Sequence, residues 1–248
     1  MSLTVHQFPC LEDNYGFLVR DEASGKVACI DTPDAAAIIA AAEAQGWGID
    51  MVLNTHWHPD HAGGNADIKE RFGAQLVGPK EVTAHYPLDR IVGDGDTVEL
   101  GATCFSVLDT GGHTLDHVSY HDAADGIAFV GDTMFPLGCG RMFEGTPQQM
   151  WASLSRLAAL PGETVAYSAH EYALANGRFA VTVDHSPELA ERMEQVKAAR
   201  ERGDPTVPTT IAAERATNPF LRAPLLSKRE DPAEAFAEIR GLKDNFRG

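Results

Sequence analysis

The segment Thr55-His56-Trp57-His58-Pro59-Asp60-His61 packs three imidazoles and a carboxylate into six residues of a 248-residue chain that has 10 histidines in all. Imidazole nitrogen and carboxylate oxygen are the donors that zinc, iron and manganese accept, so a cluster this dense points to a metal site rather than to scattered surface histidines. The cluster follows the short apolar run Met51–Asn54. At an extended strand end alternate residues point the same way, so His56 and His58 can converge on one point. Asp60 and His61 follow the Pro59 turn and point elsewhere, which lets one short loop serve two metals. Gly63-Gly64 then permit a tight turn into the next element.

A dinuclear site needs further ligands, and three later positions offer them. His113 stands in Gly111-Gly112-His113-Thr114, Asp132 in Gly131-Asp132-Thr133, and His170 just beyond Thr164–Ser168. Each follows a segment that reads as a strand, where a rigid element can aim a ligand while loops leave the metal open. Taken singly, each is as well explained as a cap or turn residue. Their weight comes from combination with the histidine-rich loop.

The elements that must position these residues are legible as alternating short apolar runs and turn signals. Strands are predicted over Val5–Pro9, Tyr15–Arg20, Val27–Asp31, Met51–Asn54, Gln75–Gly78, Thr97–Leu100, Thr103–Asp109, Val118–His121, Ile127–Gly131 and Thr164–Ser168. Helices are predicted over Asp34–Gln45, closed by Gly46, over Asn65–Phe72, and from Thr146-Pro147 to about Ala159. Beyond His170 strand patterns vanish. One helix is expected from Ser186-Pro187-Glu188 to about Arg202, a Pro/Thr-rich loop over Asp204–Thr210, and a last helix from the capping-box spacing at Asp231–Glu234 to about Leu242. Several strands follow one another without an intervening helix, which disfavours a doubly wound parallel sheet. An α+β layered domain with a helical appendage is expected.

Composition narrows the setting. Hydrophobic residues make up 44% and charged residues 23%, as in ordinary globular proteins. The N-terminus lacks a basic region followed by an apolar one, and no stretch approaches the roughly 18–20 apolar residues of a membrane span, so a cytoplasmic protein is expected. Cys10, Cys29, Cys104 and Cys139 have no CxxC spacing and read as reduced thiols. The net charge of −16 repels nucleic acids and anionic membranes. An anionic substrate would need a local cluster of Arg and Lys.

THWHPDHAGGN resembles the signature loop of the metallo-β-lactamase superfamily. GGHTLDHVSY, GDTMFPLGCGRMFEGT, SAHEYALANGRFA and NPFLR resemble hydroxyacylglutathione hydrolase (glyoxalase II), and the likeness runs over nearly the whole chain. It implies a four-layer αββα sandwich over residues 1–170 with an all-α, glutathione-binding appendage over residues 171–248. It implies that His56, His58 and His113 bind one divalent ion and Asp60, His61 and His170 a second, with Asp132 bridging; zinc is the expected ion, iron and manganese the alternatives. Asp31 resembles a buried acid behind the ligands, and a plain cap or turn role explains it equally well. His6, His85, His117, His121 and His185 read as non-ligands. Asp116 departs from a usual glycine after GHTx.

The implied reaction is hydrolysis of an S-(2-hydroxyacyl)glutathione, such as S-D-lactoylglutathione, to glutathione and D-lactate, the second step of methylglyoxal detoxification. Five neutral imidazoles and two carboxylates carry about −2 against +4 from two divalent ions. The positive remainder can lower the pKa of a water between the metals from 15.7 toward about 7, and the resulting hydroxide, held at Asp60 and Asp132, is the expected nucleophile. A thiolate leaves readily, so no dedicated general acid is sought. The resemblance implies that Arg141, Tyr172, Arg240 and Lys243 contact the glutathione moiety, together with Phe143, which departs from a tyrosine. Without the resemblance, Arg240 and Lys243 read as a solvated helix face. The rivals are a persulfide dioxygenase, another hydrolase of this fold, and a non-catalytic metal-storage or redox scaffold. A monomer is expected.

Overall fold

The computed structural model describes residues 3–248. Its contacts divide the chain into two compact units, Met1–Asp109 with Thr114–Gly131, and Thr110–His113 with Asp132–Gly248.

In the first unit, β1 (Leu3–Cys10), β2 (Asn14–Asp21) and β3 (Val27–Ile30) form an antiparallel meander. The sheet then continues in parallel through β4 (Met51–Leu53), β5 (Gln75–Gly78) and β6 (Arg90–Ile91). Parallel neighbours need crossover helices, and these are α1 (Ala35–Gln45) and α3 (Asn65–Phe72). Ile38 and Ala42 of α1 and Ile68 of α3 are buried against Leu18, Cys29, Val52 and Leu76 of the sheet. Asp34 caps α1 through the amides of Ala36 and Ala37, and Gly46 ends it in the left-handed conformation. A second antiparallel run, β7 (Thr97–Leu100), β8 (Thr103–Asp109), β9 (Val118–Asp122) and β10 (Ile127–Gly131), packs on the first sheet. Phe129 of β10 lies 5.8 Å from Phe17 of β2, ring centre to ring centre, and the Tyr120 hydroxyl donates to the Asn54 carbonyl.

β3 stops one residue earlier than expected, because Asp31 adopts a φ of 55° and turns the chain out of the strand. Pro59 opens a one-turn helix, α2 (Pro59–Ala62), rather than a bare turn.

The second unit holds the hairpin of β11 (Met134–Phe135) and β12 (Gly138–Cys139), helix α4 (Pro147–Ala158), capped by Thr146, and strand β13 (Val165–Ser168). Helices α5 (Ala173–Val183), α6 (Pro187–Arg202), α7 (Ile211–Thr217), α8 (Ala223–Leu226) and α9 (Pro232–Asp244) follow. The expectation that strands end at His170 is corrected: Thr209–Thr210 form β14, antiparallel to β13. A two-residue strand is too short to show alternation. Helices α5, α7 and α8 were not expected either; α8 is a single turn and α5 has a glycine in its interior, which weakens the periodic signal. Phe236, Ile239 and Ala235 of α9 are buried with Phe220 and Phe179, so the last helix is core to its unit.

Among the described residues no helix is long and apolar enough to cross a membrane. The four cysteines are free thiols.

Candidate metal centre

The first unit contributes the histidine-rich loop, and its imidazoles are held in defined tautomers. His61 Nδ1 donates to Asp31 Oδ2 at 2.9 Å. The Thr55 hydroxyl has one hydrogen, and it goes to the same Asp31 oxygen at 2.8 Å. Thr55 Oγ1 therefore accepts from His56 Nδ1, 3.0 Å away. Both rings are left with Nε2 as the nitrogen bearing the lone pair, the state a metal ligand requires. His56 Nε2 stands 3.0 Å from His58 Nδ1, and His61 Nε2 stands 3.6 Å from Asp60 Oδ2. Asn14 steadies Asp60, with its Nδ2 donating to the Asp60 carboxylate at 3.1 Å and to its carbonyl at 3.3 Å.

The second unit contributes His113, Asp132 and His170, all buried. His113 Nδ1 donates to the Arg141 carbonyl at 2.7 Å, which again leaves Nε2 as the donor atom. Asp132 turns one oxygen to each histidine: Oδ2 lies 3.3 Å from His113 Nε2 and Oδ1 lies 3.4 Å from His170 Nε2. The loop that makes this possible is glycine-dependent. A Cβ on Gly140 would fall 2.0 Å from the Asp132 carbonyl oxygen, so only glycine lets the chain pass there.

In the first unit the donor atoms of His56 and His58, and those of Asp60 and His61, stand together; in the second, the Asp132 oxygens stand beside His113 and His170. Ligand atoms on bonds of about 2.1 Å around a tetrahedral ion stand about 3.4 Å apart. The pair separations of 3.0, 3.3, 3.4 and 3.6 Å sit at that spacing, and the lone pairs of His56, His61 and His113 are at Nε2, so the donor set fits divalent ions.

Two family models match the chain, "Hydroxyacylglutathione hydrolase C-terminus" over residues 171–246 and "Metallo-beta-lactamase superfamily" over residues 18–170. Proteins named hydroxyacylglutathione hydrolase from Erythrobacter litoralis and Maricaulis maris are 54% and 53% identical to it, each over 98% of this chain and over 100% and 99% of their own lengths. The chain belongs to the hydroxyacylglutathione hydrolase family. Among solved structures, ETHE1 from Myxococcus xanthus matches with a TM-score of 0.71 at 27% identity, covering 98% of this chain and 92% of that one. The B3 metallo-beta-lactamase BLEG-1 matches with a TM-score of 0.67 at 20% identity, over 88% and 99% of the two chains, and shares the fold. The metallo-β-lactamase fold, mixed sheets flanked by helices with a helical C-terminal region, is thereby established, and with it a His/Asp cluster suited to two divalent ions.

Within this family frame the remaining candidates take distinct places. Tyr172 stacks flat on His170, with ring centres 4.8 Å apart and an interplanar angle of 2°. Phe143 is 59% exposed and meets His113 edge-on at 5.3 Å. The Arg141 guanidinium is exposed above that ring, 5.9 Å from its centre. Arg240 is not a solvated surface residue: it is buried, donates to Asp244 at 2.6 Å and to the Cys139 carbonyl at 3.4 Å, and lies over Phe220. Its fork is committed to holding α9 against β12. Lys243 is half-buried, bonded to the Ala175 carbonyl at 3.1 Å, and burial followed by the nearby Arg240 charge pulls its pKa below the usual lysine value. Arg240 is already paired with Asp244, so of these two cations Lys243 is the one whose charge is bonded to a carbonyl rather than to a carboxylate.

Asp31 resolves toward the buried acid, since it accepts from Thr55 and His61 and is 5% exposed. Thr55 and Asn14 belong to the same support, and sequence reasoning missed both. Thr55 could be suspected from its place directly before His56, whereas nothing local marks Asn14. Asp116 does not need to be glycine: its φ is not positive, and its amide bonds Glu81 in an exposed turn.

Proposed function

We propose that this chain hydrolyses S-(2-hydroxyacyl)glutathione, with S-D-lactoylglutathione as the representative substrate, releasing glutathione and a 2-hydroxy acid. The observation that carries the reading is two sets of paired donors, His56, His58, Asp60 and His61 in the first unit and His113, Asp132 and His170 in the second, in a chain whose C-terminal segment matches the hydroxyacylglutathione hydrolase family. His56, His58 and His113 would hold one ion, Asp60, His61 and His170 the other, with one Asp132 oxygen turned to each side. Two divalent ions, zinc before iron or manganese, would supply a Lewis acid for the thioester carbonyl and a water acidified toward neutral pH. The residues do the rest. Asp31, Thr55 and the Arg141 carbonyl fix the imidazole tautomers, and Asp132 and Asp60 supply the negative charge that keeps the cations in place. No side chain need protonate the leaving group, because a thiol of pKa about 8.5 departs as thiolate.

Residues 1–170 carry the ligands in this reading, and residues 171–248 carry most of the glutathione site: Tyr172 and Lys243 as contacts and Arg240 by holding α9 in place, joined by Arg141 and Phe143 from the preceding segment. A cytoplasmic monomer acting on a small thioester, with no nucleic-acid or membrane partner, suits the acidic surface.

Metal analysis of the purified protein alongside hydrolysis of S-D-lactoylglutathione tests the reading. About two equivalents of metal and a turnover that disappears with chelation and returns with metal are expected. Oxygen uptake without thioester loss would replace the hydrolase by an oxygenase, and turnover indifferent to chelation would remove the metal from the chemistry.

Lys243 carries a separate prediction. Removing α9 would strip buried Phe236 and Ile239 from the core of its unit, so truncation confounds binding with folding. A point change avoids this. Lys243→Gln is expected to raise KM for glutathione thioesters about tenfold, the worth of roughly 1.4 kcal/mol from one charge-assisted contact, with kcat near parental. An unchanged KM removes Lys243 from the substrate site.

A further inference from the structure

Glu214 on α7 plays no part in the site described above, yet its carboxylate is wholly buried. A buried carboxylate is costly unless its lone pairs are met. Here one oxygen accepts from the Thr209 hydroxyl at 2.6 Å and from the Arg192 guanidinium. The other accepts from Asn218 Nδ2 at 2.9 Å and from the backbone amide of Leu137 at 2.9 Å. Thr209, Arg192 and Asn218 lie near Glu214 in the helical tail. Leu137 is 77 residues away, at the tip of the β11–β12 hairpin, with a φ of 60° that L-residues rarely adopt.

The same tip is held at every residue by tail side chains. Asn218 Nδ2 donates to the Phe135 carbonyl at 3.2 Å and to the Gly138 carbonyl at 2.8 Å. Asn176 Nδ2 reaches the Pro136 carbonyl at 3.3 Å, and Arg240 the Cys139 carbonyl at 3.4 Å. A two-stranded hairpin is barely stable alone, so its position is set by these bonds together with the burial of Leu137 among Ala173, Ala180, Leu189 and Met193. Its two ends matter chemically. Asp132 lies two residues before β11, and Arg141, two residues after β12, gives the carbonyl that takes the His113 Nδ1 proton.

We propose that Glu214 is a positioning residue for the metal centre: through the Leu137 amide it fixes the hairpin whose two ends place Asp132 directly and His113 through the Arg141 carbonyl. The inference rests on the reading of Asp132 and His113 as ligands. It differs from a plain stapling role, in which the Arg192–Glu214 pair only joins α6 to α7. Replacing both members of a buried ion pair by apolar residues of similar volume is often neutral or stabilising. Such a change removes the cost of the buried charges but leaves the Leu137 amide, the Thr209 hydroxyl and Asn218 Nδ2 without their acceptor, so some stability is lost.

The test therefore compares the parent with Glu214→Gln, with the double variant Arg192→Met/Glu214→Met, and with Asn218→Ala, which loosens the hairpin while keeping both members of the ion pair. Folding is read from the circular dichroism and Tm of the metal-free proteins, zinc affinity from competition with a chelator, and kcat and KM from thioester hydrolysis. Expected is a double variant that folds with a lowered Tm, zinc affinity and kcat each down about ten- to a hundredfold, as for other residues that orient ligands, and KM for the thioester unchanged. Asn218→Ala is expected to shift zinc affinity in the same direction. Parental zinc affinity and kcat in the folded double variant, or in folded Asn218→Ala if the ion-pair variants fail to fold, would overturn the positioning role. A parent that binds no zinc would instead sink the reading of the ligands themselves, so the two failures are distinguishable.

Discussion

Asp132→Ala is expected to cost the protein most of its bound metal and to slow thioester hydrolysis by about a hundredfold or more, on the scale of losing a preorganised electrostatic group. The expectation follows from the way the carboxylate is shared. One oxygen is 3.3 Å from His113 Nε2 and the other 3.4 Å from His170 Nε2, so one small side chain faces both ends of the cluster. No neutral residue supplies two acceptor oxygens at that spacing, and removing the charge leaves histidines and Asp60 to offset two divalent ions. Asp132→Asn separates the contributions: it keeps the shape and one acceptor oxygen but loses the charge, so intermediate metal loading is expected. Metal content by elemental analysis, measured on the same samples as kcat, decides the matter. Full activity with normal loading in Asp132→Ala would remove the bridging role.

How much of this was legible in the chain depends on the scale of the signal. The loop from His56 to His61 is readable because the donors are adjacent in sequence, and two-residue periodicity alone suggests that His56 and His58 converge. The strands that carry Asp109, Gly131 and Ser168 are readable because their apolar runs are bounded by glycine and polar turns. Their lengths agree with the structure to within a residue or two. His113, Asp132 and His170 are different. Each sits one to four residues past such a strand, where caps and turns use the same residue types, so none stands out alone and their weight comes from combination with the histidine-rich loop.

The supporting residues were the least legible, for a physical reason. Resemblance alone leaves Asp31 between a buried acid and a turn residue, and what decides it is a left-handed φ and acceptor bonds to residues 24 and 30 positions away. Without the resemblance Arg240 reads as a surface charge on a helix face, and nothing in the sequence singles out Glu214, because hydropathy assumes that an ionised side chain seeks water. Both are buried, since each finds enough partners to replace its hydration. Non-local satisfaction of a charge leaves no trace in a local pattern. The tail thus looked like an appendage with a solvated face, while in the structure it supplies side chains that hold the backbone from Phe135 to Cys139.

Asp31→Ala carries the second large effect and shows how a residue that touches no substrate can govern the site. Its carboxylate takes the Thr55 amide at 2.7 Å, the Thr55 hydroxyl at 2.8 Å and His61 Nδ1 at 2.9 Å. Alanine would leave these donors buried without their acceptor, at about 1–3 kcal/mol for each one unsatisfied. It must also hold a φ of 55°, which Asp and Asn tolerate better than Ala. The chemical consequence is larger than the structural one. Once Thr55 no longer gives its proton to Asp31, it can donate to His56 Nδ1. The His56 proton then moves to Nε2, the nitrogen that must be bare to bind a metal, and His61 loses its fixed tautomer in the same step. Metal affinity and kcat are expected to fall together by about a hundredfold, the upper end for a group that orients ligands, with Tm lowered as well. Asp31→Asn retains the backbone conformation and one acceptor oxygen, so it should recover most of the Tm while leaving the metal affinity low. A variant pair in which metal affinity tracks Tm alone would reduce Asp31 to a structural turn.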